Sequence, residues 1–378
     1  MKRVMIIAGE ASGDLHAAKL VNAVKAHQPD IKFYGIGGED MREAGVEVMV
    51  DAAELAVVGL VEIWAHRKVI FGALDLMRKQ LHENPPDLLI LVDYPEFNLR
   101  LAKTAKENGV KVLYYISPQV WAWRQHRVKN IRQRVDMMAV VFPFEEKFYQ
   151  DHGVPVEFVG HPLVDEVRAS ADRDTLRHEF RLDSAKPVIG LFPGSRRSEI
   201  KRLLSIILQS AACLQQRHPD AQFLLPLAPG LKQSEIQSYL AQYPALEVQV
   251  IQDRPYDVMR ACDLIVTVSG TVTLEIALIG TPLVIINKVA WLTYLLVHRM
   301  VKIRHIGLCN IVADKRIAPE LIQFDATPEQ ICQVMHELLE APERRAQMSR
   351  ELGEIENLLG KKGGIENTAR LVTQMITE

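Results

Sequence analysis

Short apolar runs, most closed by Gly, Pro, Ser or Asp, alternate with helical patterns throughout the chain. No other feature limits its fold as strongly. In the first half the runs are Val4–Ala8, Lys32–Ile36, Leu88–Val92, Val112–Ile116, Met137–Phe142 and Val156–Val159. In the second half they are Val188–Phe192, Phe223–Pro226, Val248–Ile251, Leu264–Val268 and Leu283–Ile286. This alternation is the signature of βα units in parallel sheets. The segment Arg168–Pro187 is charged, lacks β-rich runs and separates the two series. The expected class is therefore α/β. Two Rossmann-like, doubly wound parallel-sheet domains, residues 1–167 and 186–345, are expected to face each other across a cleft. One large barrel fits less well, because the pattern breaks in the middle. Residues 346–378 read as helices, broken at Gly360 and Gly363-Gly364, that cross back to the first domain or to a second subunit of a homodimer.

Size and composition narrow the class of protein. The 378 residues suffice for two domains, and 48% hydrophobic content makes a large core feasible. A formal charge of −2 argues against a general nucleic-acid binder. Gly9-Glu10 cuts the first apolar run too early for a signal peptide, and no apolar stretch is long enough to span a bilayer. Cys213, Cys262, Cys309 and Cys332 are far apart with no CxxC pair, and read as reduced, buried residues of a cytoplasmic protein. The twelve His are scattered without an HExxH or DxD-like run, so neither metal nor cofactor is expected.

The loops after the runs carry the candidate chemistry. After the first run comes Gly9-Glu10-Ala11-Ser12-Gly13-Asp14, a tight turn into a helix capped by Ser12 or Asp14; it is not a GxGxxG dinucleotide fingerprint. Asp93 follows Leu88–Val92 beside apolar and aromatic residues, where a carboxyl with raised pKa can take a hydroxyl proton or simply cap a helix. Ser117–Arg124 puts Trp121, Trp123 and Arg124 in a loop that reads either as ligand-facing or as packed strand end. In the second half, Gly194, Ser195 and Arg196 form an anion-binding helix start that suits a diphosphate without metal. Ser269, Gly270 and Thr271 make a second such cradle, with Thr273 and Glu275 on the helix it opens and Glu275 placed to accept from ribose hydroxyls. Two anion cradles in one half-chain point to a nucleoside diphosphate. His161, at the end of a strand, either contacts phosphate or acceptor or packs.

Leu55–Leu81 has apolar groups on too much of its circumference. Ile63, Ile70, Leu74, Met77 and Leu81 form a core stripe. Val69 and Leu76 fall on a second face, and Trp64 and Phe71 on a third, with Arg67 and Lys68 interspersed. That pattern suits a helix lying in a lipid interface with its cations at anionic headgroups, or one buried between domains or in a dimer contact. Trp291–His305 repeats the mixture.

Together these motifs resemble those of the lipid-A-disaccharide synthases, bacterial glycosyltransferases of the inverting GT-B type. The resemblance runs along essentially the whole chain. It rests on Gly9–Asp14, Asp93 with Pro95–Asn98, Ser117–Arg124, Pro143-Phe144-Glu145, Gly160-His161, Pro193–Arg196, Ser269–Glu275 and Asn310. Val-Trp-Ala-Trp-Arg is the most family-specific run, and Ala11 stands where Thr is common. The resemblance implies a UDP-2,3-diacylglucosamine donor and a 2,3-diacylglucosamine 1-phosphate acceptor. The acceptor's 6-hydroxyl attacks the anomeric carbon to give a β-1,6 disaccharide 1-phosphate and UDP. It implies work at the cytoplasmic face of the inner membrane. Asp93 is then the general base, Arg196 and the Ser269–Thr271 helix start stabilise departing UDP, and Glu275 holds ribose. Glu10 orients the acceptor side and Asn310 the donor phosphates, while Gly13, Trp121, Trp123, Arg124 and His161 line the acceptor side or cleft. A UDP-sugar 2-epimerase shares the layout but has no use for greasy basic helices; a non-catalytic membrane-surface nucleotide-binding protein is the other alternative.

Overall fold

The computed structural model describes residues 2–55, 60–123, 125–228, 230–289, 304–360 and 362–377, without the side chains of 60–67. They form two compact units, Met1–Asp165 with Leu359–Glu378, and Glu166–Leu358.

The first unit is built on seven parallel strands: β1 (Arg3–Ala8), β2 (Lys32–Gly37), β3 (Glu47–Asp51), β4 (Leu88–Val92), β5 (Lys111–Tyr115), β6 (Met137–Val140) and β7 (Val156–Phe158). Their order is β3-β2-β1-β4-β5-β6-β7. Helices cover the faces, so inner strands must be apolar throughout: every residue of β4 is buried, as is all of β1 after Arg3. β3 is absent from the sequence reading. It is an edge strand, half-buried along most of its length, and its Glu47-Val-Met-Val-Asp pattern makes no continuous apolar run. The last helix, Gly364–Thr377, packs on the first, Ala11–His27. The chain enters it past β7: His161 N–H donates to Leu359 O at 3.0 Å and Asn367 Nδ2 to Val159 O at 2.9 Å. Gly360 sits at φ +94°, where a Cβ would come within 3.3 Å of the Phe158 ring and the Gly160 Cα.

The second unit has six parallel strands: β8 (Val188–Phe192), β9 (Gln222–Leu227), β10 (Val248–Gln252), β11 (Leu264–Val268), β12 (Leu283–Asn287) and β13 (Glu320–Ile322). The order is β10-β9-β8-β11-β12-β13. β13, also missed in sequence, has only three residues and starts with a carboxylate. The charged segment expected to be a linker belongs to this unit. Its helix Arg173–Glu179 is tied down by Arg177, buried, which donates to Asp263 Oδ2 at 2.6 Å and to Ala261 O at 2.9 Å. The cysteine expectation is corrected too: Cys213 and Cys332 form a disulfide, while Cys262 and Cys309 are free and buried. Their helices, Arg197–Arg217 and Pro328–Glu340, lie side by side, a pairing that the 119-residue separation hides in sequence.

Candidate active site

In a doubly wound sheet, ligands collect at the carboxyl edge where strand order reverses. In the first unit that point lies between β1 and β4. Ala8 pairs with Val92, so Gly9-Glu10 and Asp93-Tyr94 leave the sheet side by side. Gly9 has no alternative there, because a Cβ would stand 2.4 Å from the Tyr94 ring. Asp93 and Tyr94 have φ of 45° and 44°, the left-handed region that non-glycine residues avoid. Such strain persists only when over-determined and gathers at functional sites. Here Asn98 Nδ2 donates to Asp93 O at 2.8 Å, and the Tyr114 hydroxyl donates to the same oxygen.

This backbone holds the Asp93 carboxyl in a half-buried position. Burial pushes its pKa up to about 6, the Glu10 charge pushes the same way, and the Tyr94 N–H only partly offsets them. A carboxyl poised one unit below neutrality is ionised at pH 7 yet basic enough to accept a proton in a transition state. Glu10 itself is exposed and stands at the N-cap of the first helix in extended conformation. The sequence expectation that Ser12 or Asp14 caps that helix is corrected, since both lie inside it. Asp14 is instead buried and takes the N–H groups of Gly38 (2.6 Å) and Asp40 (3.1 Å), capping the next short helix, Glu39–Glu43. Gly13 is buried against Ala8 and Val92, letting the helix lie close to the sheet.

The aromatic segment expected to be a loop follows β5, next to β4, and its Val120–Trp123 forms a single helical turn. Trp121 is half-buried, edge-on to Phe144 at 4.8 Å, and its Nε1 donates to Glu145 Oε1 at 3.1 Å. Glu145 is fully buried and also accepts the Phe142 N–H at 3.2 Å. Burial raises its pKa to about 8 despite these bonds. Trp123 is exposed at 41%, so this ring is no core filler; Arg124 lies outside the described residues. His161 is buried against Phe142, and burial, with His16 adding, drives its pKa down to about 3. Its Nδ1 accepts the Leu163 N–H at 3.2 Å, so a proton on the neutral ring sits on Nε2. It packs and has no positive charge to offer a phosphate.

In the second unit the strand order reverses between β8 and β11, and the two expected cradles leave from that point: Phe192 pairs with Thr267. Gly194 is at φ +101°, which turns the loop into helix Arg197–Arg217. The Ser195 and Arg196 N–H groups donate to Glu199 Oε2 at 3.2 and 3.3 Å, so the helix's own carboxylate fills the anion position. The sequence reading gave Glu199 no role, although Arg-x-x-Glu at a helix start is a capping-box spacing. Arg196 is 73% exposed and within 3.6 Å of Glu199 Oε1, available to an incoming anion. The second cradle opens helix Val272–Ile279. Around Gly270 there is open space where a side chain would stand and Thr271 is exposed, while the Thr273 and Leu274 N–H groups already donate to Gly270 O and Thr271 O at 3.1 and 2.9 Å. Glu275 is largely buried. Burial and the Glu166 charge raise its pKa to about 7, while a hydrogen bond from Tyr256 opposes them.

Two expected donor ligands are corrected to framework. Thr273 is fully buried; its Oγ1 donates to Gly270 O at 2.8 Å and accepts the Leu308 N–H at 3.1 Å. Asn310 is fully buried, with Nδ2 on Ala318 O and Glu320 Oε1 and Oδ1 on the N–H groups of Ile317 and Ala318. No capacity remains for a phosphate. Ser269 is partly framework, since its Oγ donates to Ile306 O at 2.7 Å. These bonds seat residues 306–320 beside the cradle.

On helix Leu60–Glu83, Leu74, Met77 and Leu81 are buried as the stripe requires, and Ile70 is half-buried on the same core. Val69 and Phe71 are exposed at 40% and 42%, beside exposed Lys68. Leu76 is corrected: it is half-buried against the core and belongs to no outward face. The side chains of Ile63, Trp64 and Arg67, and most of Trp291–His305, lie outside the described residues. Among those described, no helix is long and apolar enough to cross a membrane.

The family profile of lipid-A-disaccharide synthetase matches residues 4–372. The chain belongs to this family. It is 54% identical to the lipid-A-disaccharide synthase of Trichlorobacter lovleyi over 377 residues, all of this chain and 98% of that one. It is likewise 54% identical to that of Geobacter sulfurreducens over 374 residues, 99% and 97% of the two chains. Among solved structures, the S. aureus MnaA–UDP complex superposes with a TM-score of 0.65 over all of this chain and 98% of that chain, at 14% identity, a likeness of fold alone. As a lipid-A-disaccharide synthase family member with two parallel-sheet α/β units, the protein is a GT-B glycosyltransferase. The 2-epimerase and sensor alternatives are not favoured.

Proposed function

We propose that the protein transfers 2,3-diacylglucosamine from its UDP carrier to the 6-hydroxyl of 2,3-diacylglucosamine 1-phosphate. The products are the β-1,6 disaccharide 1-phosphate and UDP. The reading is carried by one observation: the chemistry-bearing loops of each unit lie at its own strand-order reversal, with Glu10 and Asp93 at the first and helix starts with Arg196 at the second. Asp93 accepts the 6-hydroxyl proton as that oxygen attacks the anomeric carbon from the face opposite UDP, which inverts the configuration. The leaving diphosphate gains charge as the bond breaks. Arg196 and the helix-start N–H groups of Ser195 and Thr271 stabilise that charge. Glu199 gives up those amides when the diphosphate takes its place, and Glu275 accepts from ribose hydroxyls. Glu10 and the Trp121–Trp123 turn border the acceptor.

Lys68, Val69 and Phe71 support attachment to a lipid surface. They present a cation and two apolar groups outward on one helix segment, and the Arg100 guanidinium lies 5.7 Å over the Phe71 ring. That surface is the cytoplasmic face of the inner membrane, where diacylated substrates reside. Incubating the protein with both acylated sugars, with mass analysis of the lipid product, tests the reaction. A disaccharide 1-phosphate that forms only when both are present supports it. UDP-sugar consumption without an acceptor contradicts it.

A further inference from the structure

The carboxyl end of helix Arg197–Arg217 carries a group of side chains that the transfer reaction does not use. His218 caps that helix, and His336 and Glu340 stand one turn apart on helix Pro328–Glu340. His218 Nε2 is 2.9 Å from His336 Nδ1 and 3.8 Å from Glu340 Oε1, and one ligand atom from each residue lies within 4.8 Å of the others. The i, i+4 spacing puts His336 and Glu340 on one helix face, turned to His218. Two imidazole nitrogens facing each other need a proton between them, or a cation bound by both lone pairs. The Cys213–Cys332 disulfide joins the same two helices four residues before His336 and five before His218, so the ligands are held in place before any ion arrives.

We infer that His218, His336 and Glu340 form a site for one divalent transition cation of the zinc type. Two imidazoles and one carboxylate are a zinc-type donor set, whereas magnesium and calcium require oxygen ligands throughout. Glu340 is exposed, leaving a coordination position for water. The ion clamps the carboxyl end of the helix whose amino end carries the Ser195–Arg196 cradle. The sequence hid the site because His218 and His336 are 118 residues apart and follow no metal-binding motif.

The test is titration of zinc chloride into the metal-free full-length protein, read by calorimetry and by the thermal unfolding midpoint. One equivalent is expected to bind and raise the midpoint, with no rise from magnesium. His218→Gln and His336→Gln should each weaken zinc binding at least tenfold and Glu340→Gln less, while His178→Gln, at an exposed histidine elsewhere, leaves it unchanged. Cobalt added to the unaltered protein should give the visible ligand-field absorption of a low-coordinate nitrogen and oxygen site, a readout independent of how the variants fold. Zinc affinity unaltered in both histidine variants, or absence of the cobalt band, overturns the assignment.

Discussion

The two strand-order reversals use the same topology to present different chemical groups. At the first, Glu10 and Asp93 emerge from adjacent strands, burial and then the Glu10 charge raise the cost of ionising Asp93, and Asp93 is fixed on a backbone held at positive φ. At the second, the turn leads into helix N-termini, and the fixed groups are N–H donors and Arg196. The fold thus supplies two edges, and in the proposed reaction the residues placed on them divide the labour. A base belongs where carboxylates crowd, because crowding and burial raise its proton affinity. A departing diphosphate belongs where amides and a guanidinium already point.

Substitutions at each edge should fail in different ways. Asp93→Asn should lower kcat by about 10²–10⁴-fold with UDP affinity unchanged, measured by acceptor-dependent UDP release and calorimetry. The same variant should gain stability. The raised pKa of Asp93 means its contribution is fully present below pH about 4 and lost as pH rises through about 6, so the ionised group is a burden at pH 8. Removing that charge should raise stability at pH 8 by about 1–3 kcal/mol, seen as a higher Tm, with the gain vanishing near pH 4. Arg196→Ala should weaken UDP binding about 10–100-fold, the worth of a charge-assisted hydrogen bond, and leave the pH profile unmoved. Unchanged donor affinity would remove Arg196 from the second edge. Glu199→Gln sharpens the contrast further. It discharges the carboxylate now seated on the Ser195 and Arg196 amides, and should tighten UDP binding about 2–5-fold by calorimetry. The smallest effect is expected for Glu10→Gln. With the Glu10 charge gone, the acid limb of kcat/KM, near pH 6 in the unaltered enzyme, should move down by under about one pH unit. A limb that does not move separates Glu10 from Asp93.

Most of the architecture was legible because buried parallel strands must be apolar throughout, and βα turns must carry Gly, Pro, Ser or Asp. The strands that escaped, β3 and β13, are a half-buried edge strand and a three-residue strand opening with Glu320, where burial leaves no continuous run. The site loops were legible as motifs, but the partner of each side chain was not. Thr273 and Asn310 lie on the first turns of helices Val272–Ile279 and Leu308–Ala313, and their polar atoms are used up in holding Leu308, Ile317 and Ala318. Glu145 looked like one member of a short motif and is the buried acceptor that seats Trp121. Glu199 was hidden because a capping carboxylate and a ligand's phosphate compete for the same amides. The disulfide and the His218–His336 pair join residues more than a hundred positions apart, a distance that periodicity does not bridge.

The division of labour is tested most directly by locating the diphosphate in a crystal structure of the UDP complex. We predict its phosphates on the Ser195 and Thr271 helix starts, in contact with Arg196 and with the Glu199 carboxylate displaced. Phosphate density at the first edge, against Glu10 and Asp93, would contradict it.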